Sequence, residues 1–195
     1  MIKIENSFFF ILVFSMASIV ALSNYLVQFP VRYMGLQDIF TYGAFSYPVA
    51  FLITDLANRS YGKIVARKIV YIGFIFGLFL TLFFSTDFSN LISKRIAVGS
   101  GSAFLIAQLL DIQIFDKLRK KIWYIAPLVS SFIGSCIDTF LFFSIAFYGT
   151  GINWITLSIG DLFIKILVAL VMLIPFRILI SFIKEISTEK KKINV

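Results

Sequence analysis

In stretches otherwise fit only for lipid, the sequence places Asp55 with Asn58, Gln108 with Asp111, then Asp138, and Asp161 with Lys165. A carboxylate accepts a cation, a proton or the paired donors of a polar solute, and an amide offers a donor beside an acceptor. At bilayer depth an ionisable side chain costs about 2.5–3.5 kcal/mol on insertion scales, so each must be paired, protonated or facing water. Asp55 and Asn58 stand at i, i+3, as do Gln108 and Asp111, so each pair occupies one face of a helix. Ser131, Ser135 and Asp138 follow at i, i+4, i+7, with Thr139 beside them, and Asp161 and Lys165 stand at i, i+4. Lys165 lies about a dozen residues into its apolar run, roughly 18 Å along a helix axis and close to the midplane.

The elements that must position these groups are long apolar helices. Six stretches reach the roughly 20 residues needed to cross a hydrocarbon core: 8–31, 39–58, 66–86, 96–115, 122–148 and 153–181. An all-α polytopic membrane protein of six spans is the expected fold class, with residues 1–185 as one membrane domain and 186–195 as a basic cytoplasmic tail. The first stretch, Phe8 to Val31, is too long for a signal-peptide core and reads as a retained helix. Arg59, Lys63, Arg67 and Lys68 fall in one loop region and Lys117, Arg119, Lys120 and Lys121 in another, whereas the opposite side offers only Arg32, Lys94 and Arg95 and its 148–154 connection carries no charge. Basic loops stay in the cytoplasm, so both termini are expected there. Trp123, Tyr124, Tyr148 and Trp154 fall at span ends, where amphipathic rings favour the headgroup level.

Composition narrows the function classes. The chain is 59% hydrophobic, with 24 Phe and a mean hydropathy of +0.95, beyond what a soluble domain of 195 residues tolerates. The net charge of +8 has no soluble fold to present it to nucleic acid. With no His and a single Cys136, neither an internal disulfide nor a transition-metal site is expected, and no cofactor is implied. No phosphate-binding Gly-x-x-x-x-Gly-Lys-Ser/Thr loop occurs, so ATP hydrolysis by that device is excluded. An enzyme built on paired carboxylates would need an acid and a base at opposed pKa values, and the chain offers neither His nor a metal cluster to set them apart.

Sliding the chain by 53 residues aligns 51–73 with 104–126 without a gap, giving eight identities in 23 positions. About three would be expected by chance in so biased a composition. Read as a parallel repeat of helices 2–3 and 4–5, the alignment matches Asp55 to Gln108 and Asn58 to Asp111. Bland readings stay open beside this one. Asp55 and Asp111 stand near cytoplasmic span ends and can reach the interface, Asp161 and Lys165 can form a simple intrahelical pair, and membrane serines often bond the preceding carbonyl. Gly99 and Gly101 belong to helix packing. Together, four of six helices devote a face to hydrogen-bonding groups, which points to a polar cavity for a small polar solute.

The motifs resemble those of the queuosine precursor transporters, a family grouped with vitamin uptake transporters. "ITDLANRSYG" resembles its Thr-Asp-x-x-Asn-Glu-x-Tyr-Gly signature through Thr54, Asp55, Asn58, Tyr61 and Gly62. Arg95, Ser100, Gln108, Asp111 and Phe115 resemble the next element, "SSFIGSCIDTFLFF" the one after, and Lys165 with Pro175 the last. Arg59 departs from the usual Glu and Ser135 from a common Gln, and the Arg and Asn often found before the serine pair are absent around Pro127.

The resemblance implies import of 7-cyano-7-deazaguanine or 7-aminomethyl-7-deazaguanine across the bacterial cytoplasmic (inner) membrane, without enzymatic activity. Asp55, Asn58, Gln108, Asp111, Ser131, Ser135, Asp138 and Lys165 are then the candidate substrate-binding residues. Asp138 or Asp111 would accept two donors of the base, Gln108 and Asn58 would meet its other edge, and Lys165 would balance charge or donate to its carbonyl. Membrane lipid is the implied surrounding, with a homo-oligomer or importer partners as further expectations. A substrate-binding subunit of a multisubunit vitamin importer is the alternative.

Overall fold

A computed structural model describes residues 2–33, 35, 39–84 and 88–182. Six helices follow one another: α1 (Ile2–Leu26), α2 (Gly43–Tyr61), α3 (Lys63–Phe84), α4 (Leu91–Leu118), α5 (Ile125–Phe147) and α6 (Trp154–Phe182). All six expected helices form, and the basic tail 186–195 lies outside the described residues. The first helix ends at Leu26 rather than at 31. Pro30 there pairs with Thr41 in an antiparallel bridge, and Val31 donates its N–H to the Phe40 carbonyl at 3.2 Å. Proline has no N–H to carry a helix onward, so the chain turns into a short apolar strap. Val31, Phe40 and Ala44 form a small core there against Ile164 of α6.

Five helices are long and apolar enough to cross a membrane, α2 being the exception. Its Pro48, Asp55, Asn58 and Arg59 dilute its apolar character, and most of its residues are buried among the other helices. It contacts each of the other five helices, so it need not satisfy lipid. α6 is the reverse. Its buried residues are Ser158, Gly160, Asp161, Lys165 and Phe176, while Phe163, Ile174 and Phe182 point outward. Lipid is as apolar as leucine, so polar groups turn inward and large hydrophobes outward.

Close packing relies on small residues. Gly73 and Gly77 of α3, one turn apart, lie against Met16 and Val20 of α1, the small-x-x-x-small device that lets membrane helices approach. Gly99 lies near the Phe142 carbonyl of α5, and Gly101 faces Phe74 and Leu78 of α3, in keeping with a packing role for both. α4 packs along most of α5, whereas α2 meets α3 much less. The two helix pairs of the sequence repeat are therefore unequal in packing. Gly62 joins α2 to α3 with φ 80°, a left-handed conformation that glycine adopts without penalty.

A Cβ at Gly77 would stand 2.7 Å from the Val20 Cβ and 3.0 Å from the Ala17 carbonyl oxygen. Gly77→Val is expected to lower the thermal unfolding midpoint in detergent, corresponding to about 1–3 kcal/mol of overpacking. An unchanged midpoint would contradict this account of the α1–α3 contact.

Candidate functional site

All eight residues singled out in the sequence are buried. They gather into two clusters, one toward the basic-loop end of the bundle and one deeper. The interfacial reading of Asp55 and Asp111 does not hold, because neither side chain reaches the surface.

The deeper cluster is closed. Lys165 of α6 places Nζ 2.9 Å from Asp138 Oδ2 of α5 and 2.7 Å from Asp161 Oδ2 on its own helix. It also donates to Thr139 Oγ1 at 3.0 Å, and Thr139 donates to Asp161 Oδ2 at 3.0 Å. An ammonium has three protons, and here all three are engaged. The intrahelical pair exists, but the same lysine also binds α6 to α5.

Tyr47 of α2 lays its ring 4.7 Å from Nζ and donates its hydroxyl to Asn24 Oδ1 of α1 at 2.9 Å. Asn24 donates in turn to Thr81 Oγ1 of α3 at 3.0 Å. Sequence reasoning missed Asn24, Tyr47 and Thr81. Their signal was modest, an amide in the first span and one hydroxyl in the nearly bare third.

The second cluster is only partly paired. α2 and α4 meet where Thr54 donates to Gln108 Oε1 and Asn58 Nδ2 donates to the Ile112 carbonyl at 2.9 Å. Both contacts carry the same offset along the two chains, so the helices run parallel. Asp55 accepts from Ser130 at 3.3 Å and Ser131 at 3.4 Å, both on α5.

Neither oxygen of Asp111 has a hydrogen-bond partner among the described residues. Asn58 Oδ1, Gln108 Nε2 and Ser135 Oγ share that condition. Buried polar atoms are normally satisfied, and each exception asks for a reason. The unsatisfied set comprises two carboxylate oxygens, one amide oxygen, one amide N–H₂ and one hydroxyl.

A cleft reaches Asp55 and Ser131 between Pro48 and Leu52 of α2, Pro127 of α5, and Met172 and Phe176 of α6. Its open volume, about 10 Å³, is room for about one water molecule. The bundle is therefore closed around this cluster.

Below the cluster, the C-terminal ends of α2 and α4 clasp each other. Arg59 donates to the Arg119 carbonyl at 3.0 Å, and Arg119 donates to the carbonyls of Asn58 and Arg59 at 3.2 and 3.1 Å. Cationic donors suit helix C-termini, whose last carbonyls lack partners. Lys63 and Arg119 flank Asp116 at 3.3 and 3.5 Å. At the opposite end Arg95 bonds the Ile145 and Tyr148 carbonyls at 3.0 and 2.7 Å, closing the end of α5.

A family model described as a putative vitamin uptake transporter matches residues 41–180. A queuosine precursor transporter of Escherichia coli (strain K12) is 33% identical, the match covering 90% of this chain and 88% of that protein. Probable queuosine precursor transporters of Haemophilus influenzae and Bacillus subtilis are 34% and 31% identical. Those matches cover 80% of this chain and 79% of the first protein, and 68% of this chain and of the second. No solved structure matches.

The two clusters are expected to differ in stability. Lys165→Met leaves Asp138 and Asp161 without their cation and should cost about 3–5 kcal/mol, read as loss of folded protein or a steep fall in thermal midpoint. Asp111→Asn breaks no strong bond and should cost less than about 1 kcal/mol. Equal midpoints for the two variants would contradict the contrast between a closed and a partly paired cluster.

Proposed function

This chain belongs to the putative vitamin uptake transporter family, and on that premise we propose that it imports a queuosine precursor of the 7-deazaguanine type. The observation that carries the reading is the unsatisfied set formed by Asp111, Asn58 and Gln108. A 2-amino-4-oxo base presents a ring N–H and an amino group side by side, which one carboxylate accepts together. Asp111 takes that edge, Gln108 Nε2 donates to the base carbonyl, and Asn58 Oδ1 accepts the remaining ring N–H.

Asp55, held by Ser130 and Ser131, lies beside Asp111 and shapes the floor. Ser135 adds a free hydroxyl, and Asp138 with Lys165 forms the far wall, its donors already engaged. The 10 Å³ of space beside Asp55 cannot hold a bicyclic base, so binding requires the Ala169–Phe176 part of α6 to move away from α2, with the Lys165–Asp138 pair still holding α6 to α5. Pro48 and Pro175 stand inside α2 and α6 beside that cleft, and a proline inside a helix frees a backbone carbonyl and weakens the rod there. The Arg59–Arg119 clasp closes the inner end in the described state.

Within the same reading, α2 spans the membrane as a sixth helix shielded from lipid, both termini are cytoplasmic, and α2–α3 and α4–α5 are parallel repeats. The parallel course of α2 and α4 supports the repeat. The gathering of Arg59, Lys63 and Arg119 at one end supports the orientation.

Asp111→Asn should cut uptake of radiolabelled 7-cyano-7-deazaguanine by purified protein in liposomes at least tenfold, with the protein still folded. Exchanging the two repeat-matched groups, Asn58→Asp with Asp111→Asn, should recover part of it. Unchanged uptake in Asp111→Asn would remove carboxylate recognition at this position. Uptake by the chain alone also separates a self-sufficient transporter from a subunit of a larger importer.

Orientation is read by labelling in a Cys136→Ser background. Thr150→Cys should react with an impermeant maleimide on intact cells and Lys120→Cys only after permeabilisation; the opposite pattern would reverse the topology.

A further inference from the structure

We propose that the Asp138–Lys165–Asp161 cluster binds a proton that enters with the solute, coupling uptake to the proton gradient. The proposal rests on the import reading. It begins from charge: two carboxylates surround one ammonium, all three side chains buried. With every group ionised, one negative charge has no partner inside the membrane, and a single bound proton makes the cluster neutral.

Among the described residues the neighbouring elements supply no second cation. α2 contributes Tyr47, whose ring faces Nζ, and α5 adds Thr139 to Asp138. α6 carries Asp161 and Lys165 themselves. α1 and α3 contribute the neutral Asn24 and Thr81 through the Tyr47 hydroxyl. Asp55 of α2 meets α5 at Ser131, seven residues or about 10 Å along the helix from Asp138.

A proton fits this cluster better than a metal cation does. The position between the two carboxylates is filled by Nζ at 2.9 and 2.7 Å, so a sodium ion would have to displace the lysine, whereas a proton needs no cavity.

Polar groups flank the cluster toward both ends of the bundle. Asn24 and Thr81 line a crevice with Gln28, Ser93 and Ser100 at the end away from the basic loops, too tight for a water molecule, and the hydrogen-bonded chain from it stops at the Tyr47 hydroxyl, whose ring faces Nζ, so a proton reaches the cluster only as the helices part. On the other side the buried Ser135 hydroxyl, without a partner, stands one turn from both Asp138 and Ser131. An O–H bond forms on a carboxylate of the cluster with a proton from the outer water, then breaks to release that proton to the inner water. The carboxylate keeps its electron pair throughout.

Asp161 lies outside the proposed substrate contacts, so its loss separates coupling from recognition. The purified protein is placed in liposomes holding a pH-sensitive dye, and 7-cyano-7-deazaguanine is added outside. Wild type should acidify the lumen as solute enters. Asp161→Asn should keep solute counterflow within about twofold and reduce acidification at least tenfold. Solute movement by wild type without acidification, or undiminished acidification by Asp161→Asn, overturns the proposal.

If wild type moves none of this base, the substrate reading fails, and infrared spectroscopy of the protein alone decides the proton question. A protonated-carboxyl band lost in Asp161→Asn or altered in Thr139→Val upholds the proton site. Spectra identical to wild type in both variants overturn it.

Discussion

A lysine ammonium held by two aspartates inside a membrane is the constraint around which the other helices are arranged. Each such charge would cost about 2.5–3.5 kcal/mol if it faced lipid alone, and removing one partner of a buried pair strands the other. Lys165 therefore binds α6 to α5 through Asp138, and its Tyr47 contact brings in α2. The Tyr47–Asn24–Thr81 chain extends the hold to α1 and α3. Hydrophobic burial cannot do this in a bilayer, because lipid tails solvate leucine as well as protein does. The apolar surface chooses the membrane, and the polar interior chooses which helices meet.

Against that closed network, the unsatisfied atoms toward the basic-loop end acquire meaning. Two sets of buried polar groups lie along α5, joined by Ser131 and Ser135. One has its lysine protons fully engaged, while the other leaves Asp111, Asn58 and Gln108 with unused capacity. A fold able to satisfy the first set leaves these atoms of the second without partners among the described residues, which is what supports the proposed binding role. The cleft beside Asp55 has room for about one water molecule, and the Arg59–Arg119 clasp ties α2 to α4 at the basic-loop end.

Much of this was legible in the sequence, because a bilayer forbids charge so strongly that each exception stands out. The helices, the Asp161–Lys165 pair and the inward-facing Asp55, Asn58, Gln108 and Asp111 could all be read from spacing. What could not be read was partnership across helices. Asp138 meets Lys165 through the packing of α5 on α6, and Thr54 meets Gln108 through the parallel approach of α2 to α4.

The end of α1 was misplaced for a different reason. Residues 27–31 are apolar enough to continue a span, but Val27 packs against Gly43 of α2 and Val31 against Ile164 of α6, and hydropathy does not tell protein from lipid. Asn24 and Tyr47 were passed over because a single amide or phenol in a span carries little signal until its partner is in view.

The most direct measurement is an experimental structure of the protein with a 7-deazaguanine base bound in lipid or detergent. The account predicts the base's amino group and ring N–H within about 3.2 Å of Asp111, its carbonyl on the Gln108 amide, and α6 displaced from α2. A base bound beyond hydrogen-bonding reach of Asp111, with Asn58 and Gln108 still unpartnered, would contradict it.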